Sequence, residues 1–203
     1  MTDPVDPAAT SDATAISTGT GTGTGTERIG VYPGTFDPPT IAHLEIARCA
    51  AGQLGLARVD FTISSSTLGK DDARLTPIED RLAELWAVIG DDIAMTARST
   101  PDSLIVDIAE GYDVIVLGAD KWAQVLDPVW YGGIDARDDA LRRLPTVALA
   151  PRAPWTELGT DPAATAPADV TVVVLDIDPV HHQVSATAVR GGRDEWRARP
   201  STG

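Results

Sequence analysis

The stretch RIGVYPGTFDPPTIAH, residues 28–43, decides the fold. Its first five residues, RIGVY, form a short β-rich run, and IAHLEIARCAAG from Ile41 has the spacing of a helix, with Gly52 expected as its C-cap. Between them stand Gly34, Pro38 and Pro39. A glycine lets the backbone come close to a ligand, and the prolines stiffen the start of the helix. A strand-to-helix joint of this kind presents the unpaired N–H groups and positive dipole end of a helix N-terminus, which suit a phosphate. Thr40 and His43 are three residues apart and project from one face of the first helical turn. Two roles are open for the pair: a hydroxyl and an imidazole beside one phosphate, or a helix cap with a hydrogen-bonded core histidine.

Downstream, VDFTI (59–63), IAM (93–95), VIVLG (114–118), TVALA (146–150) and VTVVVLDI (170–177) repeat the strand pattern, several of them apolar on both faces. Helical stretches lie between them. The clearest covers 77–89, where Thr76 and Glu79 have capping-box spacing, Pro77 suits the first helical position, and Ile78, Leu82, Leu85, Trp86 and Ile89 form one stripe. A further helix is expected in SLIVDIAEGY. Alternating strands and helices imply an α/β fold, a Rossmann-like doubly wound parallel sheet with helices on both faces.

A chain of 203 residues suits one domain, here 27–203. Residues 1–26, a Gly/Thr-rich tail ending in STGTGTGTGTE, hold too little apolar surface to offset ordering and are expected to be disordered. No strand precedes those glycines, so they make a poor phosphate cradle. The Pro/Ala-rich segment 151–168 reads as a long surface loop. A formal charge of -14 argues against nucleic acid as a partner, since that grip rests on Lys and Arg. No run approaches the roughly 18 apolar residues of a membrane span, and no targeting segment is evident, so a cytoplasmic protein without a membrane partner is expected. The single cysteine, Cys49, excludes an internal disulfide and reads as a small buried hydrophobe. His181 and His182 lack metal-ligand spacing and read as loop residues; no protein ligand to a metal is assigned.

YPGTFDPPTIAH resembles the first signature, G-[ST]-F-D-P-x-[HT]-x-G-H, of the nucleotidyltransferase (cytidylyltransferase-like) superfamily, matching at Gly34, Thr35, Phe36, Asp37, Pro38, Thr40 and His43. VSATAVR near the C-terminus resembles the second, S-[ST]-[ST]-x-[ILV]-[RK], through Ser185, Thr187, Val189 and Arg190. VIVLGADKWAQVLDPVWYGG looks like the strand-Gly-x-Asp loop of the nicotinate and nicotinamide mononucleotide adenylyltransferases, with Gly118 and Asp120 beside the nucleotide and Trp130 at the place of a recurrent tryptophan. Trp122 and Trp130 would otherwise be packing or surface aromatics.

The resemblance implies an enzyme that moves a nucleotidyl group, adenylyl by the closer match, from a Mg²⁺-bound nucleoside triphosphate to a small phosphate monoester, releasing pyrophosphate. ATP is then a substrate, Mg²⁺ arrives with it, and nicotinate or nicotinamide mononucleotide is the expected acceptor. Two anions must meet, so positioning and charge neutralisation carry the catalysis. By the same resemblance, Thr35 and Phe36 contact the nucleotide through their backbone, and His43 donates to the phosphate that gains charge, with Thr40 assisting. Ser185, Thr187 and Arg190 hold the β- and γ-phosphates at a second helix N-terminus, a task suited to the planar fork of arginine. Lys70, in SSSTLGKDDARLTP, looks like a lysine aimed at the acceptor phosphate; a solvated loop charge is its other role.

The chain departs from the pattern at Ala42, where the family has glycine, at Thr40, where the mononucleotide group has histidine, and at Ala186, which lacks a hydroxyl. ARSTPDSL only partly matches the pyridine-nucleotide segment, and little chain follows Arg190. Another phosphorylated acceptor, such as pantetheine phosphate, a CTP-dependent reaction, or a non-catalytic nucleotide-binding domain therefore stay open, as does a homo-oligomer.

Overall fold

The computed structural model describes residues 27–66, 75–152 and 166–200. Strands β1 (Ile29–Pro33), β2 (Arg58–Ser64), β3 (Met95–Thr100), β4 (Val114–Gly118), β5 (Thr146–Ala150) and β6 (Val172–Val174) form one sheet in the order β3-β2-β1-β4-β5-β6. All five pairings are parallel. This is a doubly wound, Rossmann-like order, and its direction reverses between β1 and β4. Helices α1 (Ile41–Leu54), α2 (Ile78–Ile89), α3 (Ile105–Ile108), α4 (Ala119–Leu126), α5 (Ile134–Leu141) and α6 (Ala186–Arg190) complete the chain.

Alternation along each central strand feeds two cores. Tyr32, Phe61, Ile63, Val114 and Val116 pack with Ile46 and Ala50 of α1 and Leu85 of α2. Val31, Ile115, Leu117 and Leu149 face the other way, against Trp122 and Val125 of α4 and Leu141 of α5. Both faces of the central strands are thus covered, which is why they read as unbroken apolar runs.

Several local expectations are corrected. Helix α1 runs past Gly52 and ends at Gly55, which has φ 62° and is the left-handed C-cap. Thr76 and Glu79 make no capping box: α2 starts after Pro77 without a side-chain cap, because Thr76 is bonded to Asp37 instead. Trp86 leaves the α2 stripe and is 47% exposed. The third strand extends from Met95 to Thr100, well past the apolar IAM. At this sheet edge only one side of the strand is buried in its middle, so its polar half carries no apolar signal. β6 covers only Val172–Val174 of the expected 170–177, and the helix in SLIVDIAEGY is a single turn. Cys49 is half-buried and bonded to Glu45. The tail and most of the 151–168 segment lie outside the described residues.

The short chain after Arg190 returns to the first signature. Ala198 N donates to the Pro39 carbonyl at 3.0 Å, Thr40 and Arg197 form an antiparallel bridge, and Arg197 pairs with Glu84 of α2.

Candidate active site

A cleft of about 520 Å³ opens at the carboxyl ends of β1 and β4, on both sides of the point where strand order reverses. Gly34, Thr35, Phe36, His43, Gly118, Asp120, Trp130, Ser185, Thr187 and Arg190 all line it. Lys70 lies outside the described residues.

The turn between β1 and α1 is held from below. The Phe36 ring is buried and meets Tyr32, Phe61 and His43 edge-on, with centroids 5.0–5.4 Å apart. It lies directly over Gly34: a Cβ there would come within 2.6 Å of the ring. Gly34 is therefore glycine to seat Phe36, a reason the ligand-approach expectation missed. Phe36 itself has φ 47°, left-handed for a non-glycine residue. Its side chain is core, which leaves its backbone to face the cleft. The buried Arg81 of α2 fastens the turn by donating Nη1 to the Thr35 carbonyl (3.0 Å) and Nε to the Thr76 carbonyl (2.8 Å). The Asp37 carboxylate receives the Thr76 hydroxyl (2.8 Å) and amide (3.1 Å).

Thr40 and His43 take the capping role, and the His43 ring also lines the cleft. Thr40 is the N-cap of α1, its hydroxyl receiving His43 N, while His43 Nδ1 receives the Thr40 amide at 3.0 Å. This is a capping box with histidine where Glu or Gln usually stands. An Nδ1 that accepts from an amide places the ring proton on Nε2, so the half-buried His43 reaches the cleft as a donor. Thr40, by contrast, is fully buried and does not line the cleft. The expectation of a direct phosphate contact from Thr40 is corrected: it acts on the orientation of His43. Ala42 packs in the core, so its methyl does not push α1 away from a ligand.

The second signature meets the first here. Arg190 Nη1 donates to the Asp37 carbonyl across 153 residues of sequence, and Nη2 bonds Thr187 Oγ1 at 3.2 Å. Ser185 caps α6, its hydroxyl receiving Ala188 N at 3.1 Å. Helix α6 has only five residues, so its macrodipole is small.

On the β4 side, Trp130 lines the cleft whereas Trp122 is core. Sequence reasoning overlooked Tyr32, Ser64, Lys121 and Arg152, which also line it. Lys121 donates to Gln124 at 2.6 Å. Lys121 and Arg152 each stand close behind the carboxyl end of a strand, and that position is the only sequence signal that could have found them.

Burial pushes the Tyr32 phenol up to about 12; Arg152 opposes this and Asp120 adds to it. Because the folded state holds this proton more tightly than the unfolded chain, the contribution is complete below pH 10.0 and is lost as pH rises towards about 12. Each pH unit of that difference is worth about 1.4 kcal/mol. Denaturant unfolding at about pH 9 and about pH 11 should show a loss for the wild type that is smaller in Tyr32→Phe. An identical loss in both would show that Tyr32 is not responsible.

Architecture and cleft together define an α/β protein of the doubly wound class, with its cleft at the reversal of strand order. The chain belongs to the cytidylyltransferase-like family, whose model matches residues 31–191. It is 38% identical over 95 residues to a phosphopantetheine adenylyltransferase of Sphingopyxis alaskensis, covering 45% of this chain and 52% of that protein. It is 35% identical over 85 residues to a probable nicotinate-nucleotide adenylyltransferase of Methylorubrum extorquens, covering 38% and 46%. The matched segments thus span about half the length of these relatives. Among solved structures, nicotinic acid mononucleotide adenylyltransferase of Plasmodium falciparum complexed with NaAD shares the fold, with a TM-score of 0.60 over 81% of this chain and 83% of that one at 13% identity. Among the described residues no helix is long and apolar enough to cross a membrane.

Proposed function

We propose that this protein transfers the adenylyl group of Mg-ATP to the phosphate of nicotinate or nicotinamide mononucleotide, forming a pyrophosphate-linked dinucleotide and releasing pyrophosphate. The observation that carries the proposal is the meeting of the two signature segments at one cleft, with Arg190 bonded to the Asp37 carbonyl and His43 fixed as a donor beside them. In the reaction, an oxygen of the acceptor phosphate attacks the α-phosphorus of ATP. The bond from that phosphorus to the bridging oxygen breaks, and the electron pair leaves with pyrophosphate. No covalent enzyme intermediate is required. His43 Nε2 donates to the phosphate on which charge grows, and the 34–36 backbone and Arg190 hold the nucleotide. The cleft has an aromatic wall at Trp130, where a flat pyridine ring can stack.

Pantetheine phosphate is a second acceptor reading, favoured by the 38% identity to the S. alaskensis phosphopantetheine adenylyltransferase. Pyrophosphate release from Mg-ATP, measured with each acceptor in turn, separates them. Release that depends on the mononucleotide is expected; release only with pantetheine phosphate would move the protein to the second acceptor. ATP binding without release with either would indicate a binding role.

A further inference from the structure

On the phosphate side of the cleft, several polar groups of the second signature already have partners within the protein. The Ser185 hydroxyl oxygen receives its capping bond, Thr187 Oγ1 receives Arg190 Nη2, and Arg190 Nη1 is committed to the Asp37 carbonyl. A triphosphate nevertheless brings several negative charges into a protein whose formal charge is already -14. Cations held at the cleft must offset both.

Arg152 has the placement and the unspent donors for this. It follows the carboxyl end of β5, which stops at Ala150, and it is half-buried in the wall of the cleft. Its Nη2 donates to the Val184 carbonyl at 3.1 Å, immediately before the Ser185 cap. Its stem crosses Gly118, where a Cβ would lie 3.3 Å from Arg152 Cδ. Among the described residues, the Val184 carbonyl is the one hydrogen-bond partner of this side chain, and no carboxylate lies within ion-pair distance. Asp120 lines the same cleft but does not pair with it. A guanidinium carries five N–H donors in a fixed fork, so most of them stay available to a ligand. The Val184 bond costs one donor and fixes the plane of the fork, a preorganised arrangement for bidentate phosphate binding.

We propose that Arg152 is a further catalytic residue, gripping the β- and γ-phosphates of the nucleotide and taking up the charge of the departing pyrophosphate, and that position 118 is glycine to leave room for its stem. This inference rests on the adenylyl-transfer reading above. Arg152→Met keeps the stem over Gly118 and removes the fork; Arg152→Lys keeps a charge without the planar geometry.

The test is calorimetric binding of Mg²⁺ with inorganic pyrophosphate, of Mg-ATP and of AMP to the full chain, with melting temperature and kcat recorded alongside. R152M should bind pyrophosphate at least about tenfold more weakly and turn over about 10²-fold more slowly, with AMP affinity unchanged and R152K in between. Gly118→Ala should also weaken pyrophosphate binding, and add little to R152M in the double variant. Wild-type pyrophosphate affinity in a normally melting R152M would overturn the inference and leave the proposed function standing. If R152M melts early, R152K decides: weaker pyrophosphate binding with normal AMP binding supports the role, and unchanged binding overturns it. A wild-type protein that binds neither ATP nor pyrophosphate would overturn the proposed function and this inference together.

Discussion

Replacing His43 by alanine is expected to lower turnover by about 10²–10³-fold while costing only about 1 kcal/mol of stability. The two effects separate because the imidazole has two ends with different tasks. Nδ1 receives the Thr40 amide and closes the capping box of α1, a bond of the kind worth about 1 kcal/mol. Nε2 is thereby fixed as the donor end, and in the proposed reaction its removal takes away a preorganised hydrogen bond to the phosphate that gains charge. Thr40→Ala should lose a similar increment of stability and a smaller part of the turnover, because Thr40 is buried and acts through His43. Thr40→Ser keeps the hydroxyl and should restore most of both. Thermal melts and steady-state kinetics on the three variants check this. Equal losses of turnover in Thr40→Ala and His43→Ala would show that the hydroxyl does more than orient the ring.

Phe36→Ala is expected to destabilise the protein by about 3–5 kcal/mol, the range for deleting a fully buried aromatic side chain. That ring fills the space between Tyr32, Phe61 and His43 and roofs Gly34. The same lesion can be approached from the opposite side: Gly34→Ala puts a methyl 2.6 Å from the ring and should cost about 1–3 kcal/mol by overpacking. Urea unfolding of both variants measures these losses. A Phe36→Ala protein with wild-type stability would show that the ring does not support the turn, and the cleft would need another explanation for its shape.

Much of this architecture was legible before the structure. Apolar runs such as VIVLG and TVALA, buried on both faces, identify central parallel strands, and both signature segments are local enough to read directly. What stayed hidden depends on partners distant in the chain. Thr76 and Glu79 have the spacing of a capping box, yet Thr76 bonds Asp37, 39 positions away. Gly52 is the C-cap expected from sequence, but the chain turns at Gly55 because helical packing carries α1 through Ala51 and Leu54 against the core. In the edge strand β3 only Met95 and Ala97 are apolar, so the polar run after Ala97 carries no strand signal. Arg152 belongs to no motif, and only the sheet brings the end of β5 beside Gly118 and Val184.

In the proposed reaction the α-phosphorus of ATP ends up on an acceptor phosphate. Incubating the protein with Mg-ATP labelled at the α-phosphate, together with nicotinate mononucleotide, tests it most directly. The label should enter a dinucleotide product, in step with unlabelled pyrophosphate and only when the acceptor is present. Label recovered as free AMP, or remaining in ATP with every phosphorylated acceptor tried, would contradict it.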